Sequence, residues 1–175
     1  MNKFEKNGYL VIKNFIDVKK YYKPMLKNLQ KGIHDTQCPK SLALYGDKFM
    51  LELLEKCLPL MEKHTGLSLF KTYAYCRLYF KDEELKRHTD RPACEISATL
   101  CIGYKDKNWP ILIKDYNGKE ISVKLEPGDA LLYHGCDMEH WREINKYSTE
   151  HVQVFLHYVD QNGMYADHKD DAYSK

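Results

Sequence analysis

The chain has no apolar run of membrane-spanning length, no Cys-x-x-Cys pair, no internal repeat and no low-complexity linker. The missing apolar run argues against a helix that crosses a bilayer. The missing cysteine pair counts against a zinc site built from Cys38, Cys57, Cys76, Cys94, Cys101 and Cys136, because structural zinc sites take their thiolates in closely spaced pairs. The opening stretch, MNKFEKNGYLVIKNF, lacks the apolar centre of a secretory signal. The expectation is a cytoplasmic protein with free, mostly buried thiols. Net charge is small as well, at +2, which offers no basic footprint for nucleic acid and no case for a membrane surface.

Arginine is scarce. Of 27 basic residues only Arg77, Arg87, Arg91 and Arg142 are not lysine, and all four fall in the segment that carries the candidate site described below. Lysine suits solvated faces, whereas a guanidinium suits two-point recognition of carboxylates. The placement of the arginines therefore marks this region as a candidate site for an anionic ligand.

What is present reads as one domain. At 175 residues, 43% hydrophobic and 30% charged, the chain is long enough for a core of its own. Residues 1–66 are expected to be largely helical, with a short strand over 8–16. A helix is expected after Asp17 as N-cap, bent or restarted by Pro24 and stopped by Gly32. A second helix is expected from Asp47 to Gly66, kinked or broken at Pro59, with HDTQCPKSLALYG as a loop between the two. From residue 67 the period changes to two, in FKTYAYCRLYF and EISATLCIGY. Asn117-Gly118 marks a hairpin, and ALLYHG, EHWRE and EHVQVFLHYV continue the strands. The expected fold class is α+β, a jelly-roll-like barrel over residues 67–160 with the N-terminal helices packed on one sheet, and 161–175 as an exposed tail.

The residues that carry chemistry sit in KRHTDRP, residues 86–92. Side chains two apart on a strand share a face, so His88 and Asp90 would present an imidazole and a carboxylate to one point. With one distant histidine they would make the two-histidine, one-carboxylate face of non-heme Fe(II) sites. A second His-x-Asp, His168-Lys169-Asp170, lies in the polar tail, where no strand would hold it. Two histidines downstream, His134 and His140, are each candidates for the third ligand.

Taken together, NGYLVIKNFID, the aromatic strand before His88-Thr89-Asp90, the segment EPGDALLYHG and the following EHWRE resemble the Fe(II)/2-oxoglutarate-dependent dioxygenases, in particular the prolyl-4-hydroxylase-like group. That resemblance covers most of the chain. It implies a double-stranded β-helix and Fe(II) held by His88, Asp90 and His140, with His134 a pocket-lining or structural residue. It further implies 2-oxoglutarate as co-substrate, with ascorbate admissible, and O2-dependent hydroxylation of a C–H bond with release of succinate and CO2. The implied substrate is a peptide or small molecule.

Tyr79 matches a tyrosine that binds the distal carboxylate of 2-oxoglutarate in this group. The Arg or Lys that normally pairs with that carboxylate is replaced here by Glu150 and His151. Arg142, then His151 if protonated, then Arg77 are the candidate substitutes. Arg91, Trp109, Tyr133 and Trp141 are candidates for the substrate wall, with Tyr104 a further aromatic. The competing expectation is a non-catalytic barrel that binds a metal or small ligand, and a third, nucleic-acid demethylation, has no basic, aromatic-interleaved patch behind it.

Overall fold

The structure, a computed structural model, describes residues 2–147 and 149–170. Asn2 opens a capping box with Glu5 on a short helix, α1 (Lys3–Asn7), and Gly8 closes it in the left-handed region at φ 79°. Strand β1 (Tyr9–Ile12) follows, shorter than the 8–16 expected because a turn starts at Lys13. The Asp17 carboxylate receives the Lys19 amide at 3.0 Å within a tight turn, so Asp17 does not cap the next helix. That helix, α2 (Tyr22–Leu29), starts five residues later, with Pro24 in its first turn, where a missing N–H leaves no hydrogen bond unmade.

The expected loop before Asp47 contains a strand, β2 (Leu42–Tyr45), bridged to Ile33 through Ala43. Asp47 caps α3 (Lys48–Thr65) through the amides of Phe49 and Met50. The helix continues through Pro59 to a left-handed cap at Gly66. Cys57 and Met61, on either side of that proline, are fully buried and hold the helix together across the lost hydrogen bond.

The β-rich part begins with β3 (Leu69–Phe80) and β4 (Leu85–His88), then β5 (Ile96–Tyr104) and the hairpin β6 (Ile111–Lys114) and β7 (Glu120–Val123). The chain then forms β8 (Ala130–His134), β9 (His140–Arg142) and β10 (Glu150–Asp160). A six-stranded sheet runs β1-β8-β5-β10-β3-β2, and a four-stranded sheet runs β4-β9-β6-β7. All pairings are antiparallel. The two sheets face each other as a double-stranded β-helix. Residues 1–66 are therefore not purely helical, since β1 and β2 supply both edges of the larger sheet.

Alternation along β3, β5 and β10 sorts their residues onto two faces. Ala74, Cys76, Leu78, Ala98, Leu100, Val152, Val154 and Leu156 pack against Met50, Leu53, Leu54, Cys57 and Met61 of α3 and Met25 and Leu29 of α2. Each Val, Leu or Met side chain among them contributes about 1.5–3 kcal/mol on removal from water, which fixes the helices on that face. The other face, turned toward the small sheet, carries Tyr75, Arg77, Tyr79, Ser97, Thr99, His151, Gln153, Phe155 and His157. This polar interior positions the site. Among the described residues no helix is long and apolar enough to cross a membrane.

Candidate metal centre and the polar barrel interior

His88 ends β4 and lies opposite His140, the first residue of β9. Asp90 follows just beyond, its amide donating to the Gly135 carbonyl at 2.8 Å. Gly135 permits this approach. A Cβ there would lie 2.1 Å from the Cys94 carbonyl and 2.8 Å from Asp90 Oδ2. Asp90 Oδ1 stands 3.6 Å from His88 Nε2 and 3.5 Å from His140 Nε2, and the imidazole centroids are 4.3 Å apart. One ligand atom from each of the three residues lies within 4.8 Å of the others.

Backbone carbonyls fix both ring tautomers. His88 Nδ1 lies 2.7 Å from the Lys86 carbonyl and His140 Nδ1 2.9 Å from that of Met138. A carbonyl only accepts, so each Nδ1 carries the hydrogen, and in the neutral rings each Nε2 turns a lone pair toward Asp90. Burial disfavours the Asp90 carboxylate, but a protonated His140, whose own titration the carboxylate raises, would donate to it, and this together with the neighbouring imidazoles holds the carboxyl below its usual range. Two imidazole lone pairs and a carboxylate on one face match the donor set that takes Fe(II) and leaves adjacent positions open.

Behind this face the interior is polar and buried. His151 Nε2 donates to Gln153 Oε1 at 3.0 Å, and Gln153 Nε2 donates to Thr99 Oγ1 at 2.8 Å. Arg77 Nε, Arg142 Nε, His151 Nδ1 and His157 Nε2 are buried without a partner among the described residues. Each such atom costs about 1–3 kcal/mol when left unsatisfied, so the interior favours a polar partner at these positions.

Arg142 lies two residues after His140 on the same strand face. Its guanidinium donates to the Trp109 carbonyl and packs 4.9 Å from the Trp109 ring and 5.9 Å from that of Tyr79. Arg77 is committed elsewhere: it is ion-paired with Asp35 and donates to Gln37 Oε1 at 3.1 Å. It also lies 3.5 Å from the Tyr79 hydroxyl. Burial, reinforced by Arg142, pushes the His151 imidazole down to about 3, so the ring is neutral near neutral pH unless an anion beside it raises that value.

The candidate substrate residues separate. Tyr133 lines the metal face, its ring 4.7 Å from His140 and its hydroxyl donating toward Asp90 Oδ2 at 3.4 Å. Arg91 sits over the Tyr73 ring at 4.8 Å beside the same face. Trp109 lies edge-on to Tyr79 at 5.1 Å, with its indole N–H donating to the Glu143 carbonyl at 2.9 Å, and lines a cleft together with Trp141 and Arg142. Trp141 points out of the barrel, opposite in direction to its neighbour His140, and lies 3.6 Å beneath the Arg87 guanidinium. Tyr104 stacks on His151 at 5.6 Å. His134 lies outside the cluster, stacked on Phe4 at 4.5 Å. His168 sits in a short 3-10 turn, Ala166–Asp170, beside Tyr165, where the neighbouring Lys169 lies over the Phe70 ring of β3, and it is not part of the metal-face cluster.

Sequence reasoning missed Asp35, Gln37, Cys94, Ser97 and His157. Alternation in EHVQVFLHYV carried a signal for His157, because it puts His151, Gln153, Phe155 and His157 on one face. Nothing local marked Asp35 or Gln37, which reach the interior from a loop.

No family model and no curated protein matches this sequence. Solved structures do share its fold. The α-ketoglutarate-dependent epimerase SnoN from nogalamycin biosynthesis superimposes with a TM-score of 0.75 at 13% identity, over 90% of this chain and 78% of that one. A Pseudomonas putida prolyl-4-hydroxylase gives 0.69 at 13% identity, over 88% and 94%. HygX from Streptomyces hygroscopicus, solved with nickel, 2-oxoglutarate and hygromycin B, gives 0.72 at 12% identity, over 91% and 85%. The chain thus has the double-stranded β-helix fold of the Fe(II)/2-oxoglutarate oxygenases, as the resemblance of its motifs implied.

Proposed function

We propose that this chain is an Fe(II)- and 2-oxoglutarate-dependent oxygenase that hydroxylates a C–H bond of a peptidyl or small-molecule substrate. The observation that carries the reading is the convergence of His88 Nε2, His140 Nε2 and Asp90 Oδ1, with both rings locked by backbone carbonyls. The fold shared with SnoN, HygX and the prolyl-4-hydroxylase supports it. Bound Fe(II) would supply O2 activation coupled to oxidative decarboxylation of the keto acid to succinate and CO2.

The protein's own part is to position, neutralise and exclude water. His88, Asp90 and His140 would hold the ion on one side and leave the other to ligands. Arg142, two residues further along the strand and so about 6–7 Å deeper, is the residue we assign to the distal carboxylate of 2-oxoglutarate. Tyr79 would donate its hydroxyl there, and Trp109 packs against both. Arg142 carries a guanidinium with an Nε unpaired among the described residues, in a place where an anion would otherwise be buried at high cost.

One observation favours a second reading, a ligand-binding barrel without turnover: Glu150 and His151 stand where a cation is usual, and His151 is neutral. Succinate formation from 2-oxoglutarate, with Fe(II) and O2 and no added substrate, separates the two. Slow succinate release that disappears in His88→Ala and Asp90→Ala is expected. Tight iron binding without any succinate would favour the non-catalytic barrel.

A further inference from the structure

Asp90 faces two ways. Its Oδ1 meets His88 and His140, while its Oδ2 lies 3.4 Å from the Tyr133 hydroxyl and 3.5 Å from Ser97 Oγ. Cys94 and His157 stand on that second side. One ligand atom each from Asp90, Cys94 and His157 falls within 4.8 Å of the other two. Both Cys94 and His157 are buried, at 3% and 2% exposure.

Ser97 determines the His157 tautomer. Its Oγ lies 2.8 Å from the Cys94 carbonyl and 2.8 Å from His157 Nδ1. The carbonyl can only accept, so the single hydroxyl hydrogen goes there. The serine oxygen must then accept from His157, which places the ring hydrogen on Nδ1. Nε2 is left as a bare lone pair, buried and without a partner among the described residues. Burial holds the ring neutral, so it cannot satisfy that position by protonating near neutral pH. A buried acceptor of this kind calls for a donor or a cation.

We propose that Cys94 Sγ, an imidazole nitrogen of His157 and an Asp90 carboxylate oxygen form a second cation site, distinct from the iron triad and joined to it through the Asp90 carboxylate, which takes a thiophilic divalent ion of the zinc or cadmium type. Sulfur, imidazole and carboxylate together are the donors such ions prefer, whereas the triad offers no sulfur. Binding breaks the Cys94 S–H bond and forms an S–metal bond, and the proton leaves to solvent without any electron transfer. Without an ion, burial keeps that thiol protonated, with its titration pushed up to about 12, and a bound dication reverses this. Tyr73, whose hydroxyl lies 3.1 Å from Cys94 Sγ, completes the wall on this side. The site does not depend on iron in the triad.

Cadmium titration of the full chain tests this through the ultraviolet thiolate-to-metal charge-transfer absorption, with folding of each variant checked by circular dichroism. The wild-type chain should show a saturable band. Cys94→Ser should abolish it, and His157→Asn should weaken cadmium binding by at least about tenfold, the loss expected on removing one ligand or its support. His88→Ala and Cys136→Ser, the latter removing the half-buried thiol nearby, should keep the band. Its absence in wild type, its survival in Cys94→Ser, or its loss in His88→Ala would overturn the proposal. X-ray absorption of the wild-type chain with two equivalents of zinc, enough for the triad and this site, needs no variant: a sulfur at about 2.3 Å supports the site, and a shell of nitrogen and oxygen alone overturns it. Because His88→Ala removes the triad but not this site, failure of the iron reading and failure of this one are separately readable.

Discussion

The Gln37 side-chain amide lies 3.2 Å from His88 Nε2, donating to the lone pair that the metal triad needs. The same side chain accepts from Arg77 at 3.1 Å through its oxygen, and Asp35, two residues earlier, pairs with Arg77. The loop between α2 and β2 therefore fills, with an amide and a carboxylate, space between the metal face and a buried guanidinium.

Binding of a metal at His88 must displace the Gln37 hydrogen bond. A net contribution of about 0.5–1.5 kcal/mol for such a bond means that Gln37→Ala should tighten Fe(II) or Mn(II) binding by about two- to tenfold. Calorimetric titration under anaerobic conditions reads this directly. Unchanged affinity would mean that the loop leaves the site at no cost.

Arg142 should matter for 2-oxoglutarate and not for the metal. Losing the cation opposite a buried carboxylate costs about 2–5 kcal/mol, so Arg142→Gln should weaken 2-oxoglutarate binding by at least about thirtyfold at saturating metal. Metal affinity should stay within about threefold. Arg77→Gln should instead lower thermal stability, because it strands Asp35, and should affect 2-oxoglutarate less. The reverse order would move the anchor to Arg77.

Acid should destabilise the fold through His151. Its folded value, about 3, lies below the unfolded value near 6.5, so between these limits the unfolded chain binds the extra proton. Stability is fully present above about 6.5 and falls as pH drops toward 3, by up to about 1.4 kcal/mol per pH unit from this group. His157, held at about 4 by burial, acts in the same direction. Replacing His151 with Gln should flatten the difference between urea midpoints at pH 7 and pH 5. An unchanged slope would assign the acid sensitivity to other groups.

Gly135 should tolerate no side chain. The Cβ of Gly135→Ala would meet the Cys94 carbonyl at 2.1 Å, so the backbone that receives the Asp90 amide must move. A loss of about 1–3 kcal/mol in stability is expected, with weaker metal binding, measured by denaturation and by titration. Metal affinity equal to wild type would show that Asp90 is placed without this contact.

The strands and their faces were legible because two-residue alternation is a local signal. It ran through FKTYAYCRLYF and EHVQVFLHYV, and the turn chemistry at Asn117-Gly118 marked the hairpin. The Asp47 cap and Gly66 stop of α3 were equally local. Pro59 misled because buried neighbours, which sequence does not display, outweigh one missing hydrogen bond. The four-residue strand β2 escaped because its pairing with β3 is set by tertiary contact rather than by its own pattern. At the site, His88, Asp90 and His140 followed from spacing together with resemblance. The inward turn of Arg142 and the outward turn of Trp141 follow from strand parity. The insertion of Asp35 and Gln37 from a loop, and the hydrogen position that Ser97 imposes on His157, exist only in three dimensions.

The central claim is that His88, Asp90 and His140 hold Fe(II) with room for a keto acid beside it. Anaerobic titration with Fe(II) and then 2-oxoglutarate, followed by visible absorption, tests it without knowledge of the substrate. A metal-to-ligand charge-transfer band in the wild-type chain, absent from His88→Ala and Asp90→Ala, is the expected result. Iron binding with no band on adding 2-oxoglutarate, or a band that survives either substitution, would contradict it.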